Sequence, residues 1–381
     1  MNSGAAVWSK TLVPPAPLGS YAPGDVVFLL KDLSEVRLER PTEDREEAIQ
    51  SGVHYSEMLP VEYKPTADYL QLFHETLAAS ARKVALAAGT VAELIRRKRG
   101  DRTVLVSLAR AGTPVGILIK RYLQEVRRLD WPHYSISIIR GKGIDENALL
   151  YMLQKEGVDR PLQFVDGWTG KGAIRQVLVE ACAAFAARYG VKLDDDLAVL
   201  ADPGCCSETF GTREDYLIPS ACLNSTVSGL MSRTVLRPDL IGADDYHGAK
   251  FYREWLADDV SRLFVDTVAA FFPEVAQEAE EAAAAHLRDK PAATWQGLAD
   301  IRAIQAAYGI DDINLVKPGV GETTRVLLRR VPWKILVDRP DNPHLAHIRL
   351  LAADRQVPVE VFPGLTYSCC GIIRPLKEER Q

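Results

Sequence analysis

Apolar residues in the middle of the chain form short continuous runs that alternate with segments of helical periodicity. Runs of five or six apolar residues are typical of strands buried on both faces. The helical segment after the first run begins with Thr113 and Pro114, a favoured N-cap and first-turn pair. Strands that alternate with helices through short loops predict an α/β fold with a parallel sheet flanked by helices. The four runs are residues 103–108, 134–139, 162–166 and 197–202.

The segment before the first run also has helical spacing. Between residues 67 and 99, apolar residues recur three or four positions apart. Thr90 and Glu93 have the spacing of a capping box, which marks a helix start. We therefore expect Gly89 to separate two helices.

The pattern divides the chain into three parts. Residues 1–66 form an N-terminal arm whose segment 54–63 could act as a hood over a site, and residues 67–290 form the main α/β domain. An Ala/Glu-rich helix that ends at Lys290 is expected to be a solvated linker, because proline follows it. Residues 291–381 then predict a small αβα domain.

Charge and cysteine content limit the class of protein. Lys and Arg number 46 against 51 Asp and Glu, so the chain is not basic throughout, although a local basic patch stays open. No apolar run approaches the 18 residues of a membrane span, and the N-terminus lacks a signal pattern. Six cysteines, four of them in adjacent pairs, favour reduced thiols in the cytoplasm.

The loops after the predicted strands hold the candidate chemistry, because ligands bind at the carboxyl ends of parallel strands. In the loop 166–172, an acid and a glycine-rich turn stand between a strand and a helix. A helix N-terminus with close backbone approach favours a phosphate group, and Thr169 and Lys171 add donors. Gly172 follows the lysine where a Walker A loop needs Ser or Thr.

An acid followed by Thr-Gly between strand and helix resembles the phosphoribosyl-diphosphate (PRPP) loop of type I phosphoribosyltransferases. HYSEMLPVEY, SLARAGTP, SIIRGKGID, FVDGWTGKG and YLIPSACLNSTVSGLMSRTV bring the resemblance closest to the StiP-type phosphoribosyltransferase-like proteins of tellurite-resistance and stress gene clusters. It covers most of residues 20–290. It implies a type I phosphoribosyltransferase-like sheet. It also implies an enzyme that uses PRPP, or a phosphorylated ribosyl compound, to make or break an N-glycosidic bond in nucleoside-like biosynthesis.

The resemblance also implies roles for individual residues. The family's loop carries two consecutive acids, whereas Asp166 stands alone here. Magnesium would arrive with diphosphate, without protein ligands. The implied catalytic residues are Asp166, Arg110 and Arg140. The implied phosphate and PRPP ligands are Ala111, Gly112, Lys142, Gly167, Trp168, Thr169, Gly170, Lys171 and Gly172.

The C-terminal segments GVGETTRVLL, KILVD and VPVEVF resemble the small αβα RNA-binding domain shared by Pelota and the archaeal kink-turn binders. In that domain a turn at a helix start contacts RNA. The resemblance implies structured RNA as a partner. The implied RNA-binding residues are Gly319, Glu322, Thr323 and Arg325.

Two other functions stay open. One is a nucleotide-sensing, RNA-binding module without transferase activity. The other is a cysteine hydrolase, because StiP-type proteins have also been labelled cysteine proteases. In that case Cys222 would be the nucleophile and His247 the base, with Asp244 or Asp245 orienting the imidazole. The sequence leaves the acceptor substrate and a homodimer open.

Overall fold

Residues 11–374 are described by a computed structural model, without the side chains of residues 42, 43, 46, 50 and 329. The strands are β1 Val27–Phe28, β2 Lys31–Asp32, β3 Glu39–Arg40, β4 Leu59–Pro60, β5 Val104–Leu108, β6 His133–Ile136, β7 Ile138–Ile139, β8 Gly143–Ile144, β9 Leu162–Trp168, β10 Leu197–Ala201, β11 Thr209–Thr212, β12 Gly248–Ala249, β13 Val316–Pro318, β14 Pro332–Val337, β15 Val359–Val361 and β16 Cys369–Ile373.

The α-helices are α1 Thr42–Gln50, α2 Ala67–Arg99, α3 Gly112–Tyr122, α4 Glu146–Glu156, α5 Ala173–Tyr189, α6 Pro219–Cys222, α7 Ser261–Ala269, α8 Phe272–Asp289, α9 Gln296–Tyr308, α10 Val320–Arg329 and α11 Ala346–Asp354. A π-helical turn, Leu123–Arg127, extends α3. Residues 1–10 of the predicted arm and 375–381 of the predicted C-terminal domain lie outside the described residues.

The large domain is organised by a six-stranded sheet of order β1-β6-β5-β9-β10-β11 in which every neighbouring pair is parallel. The central strands β5 and β10 are buried along their whole length. That burial requires helices on both faces, as parallel sheets do. The predicted parallel sheet flanked by helices is therefore confirmed.

Helices α2, α3, α7 and α8 share one hydrophobic cluster on one face of this sheet, and α4 and α5 share a second cluster on the other face. The N-terminal segment is also part of the sheet, since β1 pairs with β6 through Val27 and Tyr134. The division of the chain at residues 66 and 290 stays a prediction.

The predicted break at Gly89 is wrong, because α2 runs unbroken from residue 67 to 99. A Cβ atom at Gly89 would lie 2.7 Å from the Tyr122 ring and 3.0 Å from the Ala279 Cβ. The glycine thus lets three helices approach closely. Glu93 does not cap a helix, because it is fully buried and accepts hydrogen bonds from Arg96 and Tyr122.

The Ala/Glu-rich helix is not simply a solvated linker. One face of α8 is buried through Phe272, Val275, Ala279 and Ala283, and it packs against α2. The opposite face carries acids that pair with arginines of α2, as in the 2.6 Å contact between Arg82 and Glu274. Small alanines permit the close helix pairing, and the acids remain at the solvent edge.

The C-terminal domain has the three predicted layers. Its mixed sheet has the order β13-β16-β14-β15, in which only β14 and β15 are parallel. Helix α9 packs on one face of this sheet through Ile301 and Ile304. Helices α10 and α11 pack on the other face, and their apolar residues belong to the same cluster as α2 and α3. The hydrophobic core therefore continues from one domain into the other.

A buried histidine stabilises the centre of the large domain. His133 is 3 % exposed; its Nδ1 lies 2.7 Å from the Asp25 carbonyl oxygen and its Nε2 lies 2.8 Å from the Ser107 hydroxyl. A neutral ring satisfies both contacts, by donating to the carbonyl and accepting from the hydroxyl. Burial lowers the pKa of His133 to about 4.

We predict that His133 makes the fold acid-sensitive. The unfolded chain binds a proton near pH 6.5 and the folded chain only near pH 4, so stability falls as pH decreases through this window. Between pH 7.5 and 5 the loss from this residue is about 2 kcal/mol. Urea unfolding of wild type and His133→Asn at both pH values measures it. An equal pH dependence in the two proteins would contradict the prediction.

Candidate functional site at the domain junction

The loop 166–172, predicted to bind phosphate, lies against the C-terminal domain. The Lys171 ammonium donates to the Ile313 carbonyl oxygen at 2.7 Å, and the Gly170 carbonyl accepts from the Tyr367 hydroxyl at 3.1 Å. The ring of Trp295 packs against Gly172. The Lys171 ammonium, expected to hold a phosphate, is therefore engaged in joining the loop to the C-terminal domain.

Thr169 is also occupied. Its hydroxyl donates to the buried Asp202 carboxylate at 2.5 Å, and that carboxylate accepts the Cys206 amide as well. The next loop approaches so closely that a Cβ atom on Gly204 would lie 2.0 Å from the Gly170 carbonyl oxygen. Thr169 and Gly170 are therefore tightly packed against the next loop, and phosphate binding by this loop stays a prediction.

The turn predicted to bind RNA faces the large domain. The amide of Val320 donates to the buried Asp215 carboxylate at 3.0 Å, and the Arg325 guanidinium donates to the Ala221 carbonyl at 3.1 Å. Gly319 lies against the Trp168 ring, and Thr323 is fully buried. The two motifs singled out in the sequence therefore meet each other.

A cavity of about 140 Å³ lies where these motifs meet. Its wall comes from Leu200 and from residues of the segments 110–115, 167–168, 218–228 and 321–325. The Arg110 guanidinium lies 3.6 Å from the Glu62 carboxylate, and Arg325 lies 3.3 Å from Glu322. Each arginine of the cavity therefore has an acidic partner, and the rest of the wall is largely apolar. The cavity wall therefore contains residues from two separate predicted sites, a combination that the sequence did not predict. Arg110, Ala111, Gly167 and Trp168 come from the predicted PRPP site. Glu322 and Arg325 come from the predicted RNA-binding turn.

Asp166 is separate from this cavity. Its carboxylate accepts the amide of Gly167 at 2.7 Å, and burial raises the pKa of Asp166 to about 7. Gly167 and Trp168 line the cavity and Asp166 does not, and the alternation of side chains along β9 directs Asp166 to the face opposite that of Gly167.

The loop that contains Arg140 and Lys142 is exposed. The Arg140 amide donates to the Tyr55 hydroxyl at 2.8 Å, so the predicted hood does reach this loop. Gly112 lies at the start of α3, tightly packed against the backbone of Val165. Neither Arg140 nor Lys142 lines the cavity.

The structure does not bring Cys222 and His247 together. His247 Nδ1 lies 2.8 Å from the Ser137 hydroxyl, and its amide donates to Asp145 at 2.6 Å, at the start of α4. Cys222 instead packs in the cluster that contains α2, and none of the His247 contacts given above involves it. Asp245 pairs with Lys31 rather than with His247.

All six cysteines are free thiols, and five of them are buried. Burial raises the pKa of Cys182 and of Cys206 to about 12, and it also raises the pKa values of Cys205, Cys369 and Cys370. Cys222 is 3 % exposed, and both of its chain neighbours line the cavity.

Asp215 and Glu62 were missed by the sequence analysis. Asp215 accepts the amides of Val320 and Ser368 and thus joins the two domains. Glu62 lies in the quoted segment HYSEMLPVEY and Asp215 directly precedes YLIPSACLNSTVSGLMSRTV, but no spacing in either segment assigns a role to the acid. Within residues 11–374, no group of three or more His, Cys, Asp or Glu could hold a metal ion. The magnesium expectation depended on diphosphate and is untested.

The fold and the junction define a two-domain α/β protein in which a parallel-sheet domain is joined to a small αβα domain. Residues 19–269 match the family model described as "Tellurite-like stress resistance cysteine protease StiP", and residues 295–375 match "PELOTA RNA binding domain". The chain is 34% identical over 364 residues, 90% of each chain, to "Cysteine protease StiP" of Acinetobacter baylyi (strain ATCC 33305 / BD413 / ADP1). The chain belongs to the StiP family.

The family assignment corrects one prediction and confirms two. The predicted phosphoribosyltransferase function is wrong, because the family and the Acinetobacter relative are named as cysteine proteases. The StiP resemblance and the C-terminal Pelota domain are confirmed. No helix within the described residues has the length and apolar character needed to cross a membrane.

We predict that Asp215 holds the domains together. Alanine at this position leaves two buried amides, of Val320 and Ser368, without an acceptor, which costs roughly 3 kcal/mol. We expect Asp215→Ala to be cleaved faster by protease between residues 288 and 295. Asp239→Ala, which removes an exposed acid, is the control. Equal cleavage rates in the two variants would refute this role.

Proposed function

We propose that the chain is a cysteine hydrolase that binds its substrate in the cavity at the domain junction, with Cys222 as the nucleophile. The observation that carries the proposal is the position of this thiol. Of the six cysteines, Cys222 alone has both chain neighbours in the cavity wall. The family name and the name of the Acinetobacter relative support the reaction class.

In this reaction the Cys222 thiolate attacks a substrate carbonyl carbon and forms a thioester, and the leaving group departs with a proton. Water then hydrolyses the thioester and restores the thiol. Glu322 is the one carboxylate in the described cavity wall, so we assign it as the proton acceptor in place of His247. Arg110 and Asn224, also in the wall, are the donors available to an oxyanion.

Substrate reaches the buried Cys222 sulfur when the segment that carries this residue moves. Cys222 ends a four-residue helix, and the chain continues through one short 3-10 turn, Ser225–Val227. Arg325 donates to the carbonyl oxygens of Ala221 and Leu223, on either side of the thiol. We infer that a shift of residues 220–224 exposes the sulfur when substrate enters.

The C-terminal domain extends the proposal to RNA. Its match to an RNA-binding domain supports structured RNA as the partner that localises the hydrolase.

Six free thiols support a reducing, cytoplasmic location. We also infer that the large domain has the architecture of type I phosphoribosyltransferases, because its parallel strands carry their loops in the predicted order; this concerns the fold and not the reaction.

We predict that Cys222→Ser lowers hydrolysis of a fluorescent casein at least roughly 1,000-fold, because removal of a nucleophile removes the covalent route. Iodoacetamide should inactivate the wild type and label Cys222 first, as read by mass spectrometry. Cys182→Ser, which alters a buried thiol far from the cavity wall, should keep full activity.

Two outcomes would contradict this assignment. One is full activity of Cys222→Ser. The other is loss of activity in Cys205→Ser, together with labelling of Cys205, the one thiol of the six that is not fully buried. A melting temperature for each variant separates lost chemistry from lost folding.

A further inference from the structure

Basic side chains gather around Tyr55, beside the loop that follows β7. The Arg140 amide donates to the Tyr55 hydroxyl at 2.8 Å, and the Arg233 guanidinium lies 5.2 Å from the centre of the Tyr55 ring. Lys142 is two residues beyond Arg140, in the same exposed loop. Three cations from two separate segments therefore share one small area of surface.

This basic area continues onto the C-terminal domain. The Lys171 ammonium donates to the carbonyl oxygen of Ile313 and lies 3.4 Å from that of Val316, the residue before Lys317. Burial, and then the charges of Lys317 and Arg140, lower the pKa of Lys171 to about 8. Burial and the charges of Arg330 and Arg140 likewise lower the pKa of Lys317. The two lysines thus connect the Arg140 area to the second domain.

These cations have no acidic partner within the described residues. Within residues 11–374, no ion pair involves Arg140, Lys142, Lys171, Arg233 or Lys317. By contrast, arginines that face α8 contact its glutamates, as Arg97 contacts Glu280 at 2.9 Å. The acids that affect Lys171 and Lys317 are Asp312 and Glu322, and Glu322 is already bonded to Arg325. The area therefore keeps an excess of positive charge in a chain whose net charge is −5.

We propose that Arg140, Lys142, Arg233 and Lys317, here called the basic strip, bind the phosphate backbone of RNA across both domains, while Lys171 holds the domain contact beneath them. The proposal rests on RNA as the partner of the C-terminal domain and is independent of the thiol chemistry. Unpaired cations along a surface supply the salt-dependent part of RNA binding.

The turn with Gly319, Glu322 and Arg325 is not the main contact surface. Arg325 is committed to the carbonyl oxygens of residues 221 and 223 and to Glu322, and Gly319 is buried against Trp168. RNA could reach these groups only if the domains separated. The basic strip, by contrast, includes side chains that are exposed in the docked arrangement, those of Arg140, Lys142 and Arg233.

The test measures binding of a fluorescent RNA hairpin with an internal bulge to the full chain at several salt concentrations. We expect Arg140→Gln/Lys142→Gln to weaken binding at least about 10-fold at moderate salt, and to lower the slope of log Kd against log salt by one to two, roughly 0.9 per lost contact. The matched control is Arg237→Gln/Arg288→Gln, which removes two arginines that pair with acids of their own segment. Arg325→Ala should bind within about twofold of wild type.

The outcomes separate the proposals. If the wild type binds no RNA, RNA is not the partner and both proposals on RNA fail. If the wild type binds and the strip variant binds equally well, only the basic strip is wrong. An equal loss in the control variant would show that general charge, and not the basic strip, decides binding. Melting temperatures of the variants confirm that each is folded.

Discussion

The burial of Asp215 between the two domains is the constraint on which the rest of the structure depends. Its carboxylate accepts two amides of the C-terminal domain, from Val320 and Ser368. Burial raises the pKa of Asp215 to about 7, although the two amides favour its charged form. A buried acid whose oxygens are both satisfied fixes one orientation of its partner, because any other orientation leaves polar groups unpaired.

With the domains docked in this way, loops that could bind ligands become part of an interface. Lys171 and Tyr367 bridge the glycine-rich loop to the second domain, and Gly204 allows a second loop to approach it. The apolar cluster is continuous from α2 to α10. What remains open at the junction is a small cavity beside Cys222, together with an unpaired basic surface that crosses the boundary. The two features are different in chemistry, and we propose the first as the reaction site and the second as the RNA-binding surface.

The fold was largely predictable from the sequence, since continuous apolar runs and helical spacing are local properties. The runs near residues 105, 165 and 199 became β5, β9 and β10. The errors arose where a local signal had a distant cause. Gly89 resembled a helix stop, yet its missing side chain accommodates Tyr122 and Ala279, which are far away in the sequence. The candidate site was predicted less well, because Asp166 and Gly167 are neighbours on a strand and face opposite sides of the sheet, and only Gly167 lines the cavity.

By itself, the sequence determined the parallel α/β sheet, the small αβα domain and the family resemblance. All three follow from the spacing of apolar residues and from short sequence motifs, which are local properties of the chain. Tertiary structure alone decided which groups are free to act. The sequence predicted that Thr169, Lys171 and Arg325 bind ligands. In the structure, the side chain of each donates a hydrogen bond to an oxygen atom of the protein. Cys222 and His247 were expected to form a pair, but His247 contacts Ser137 and Asp145 instead. The physical reason is that a donor's partner is set by packing between distant segments, which no local pattern encodes.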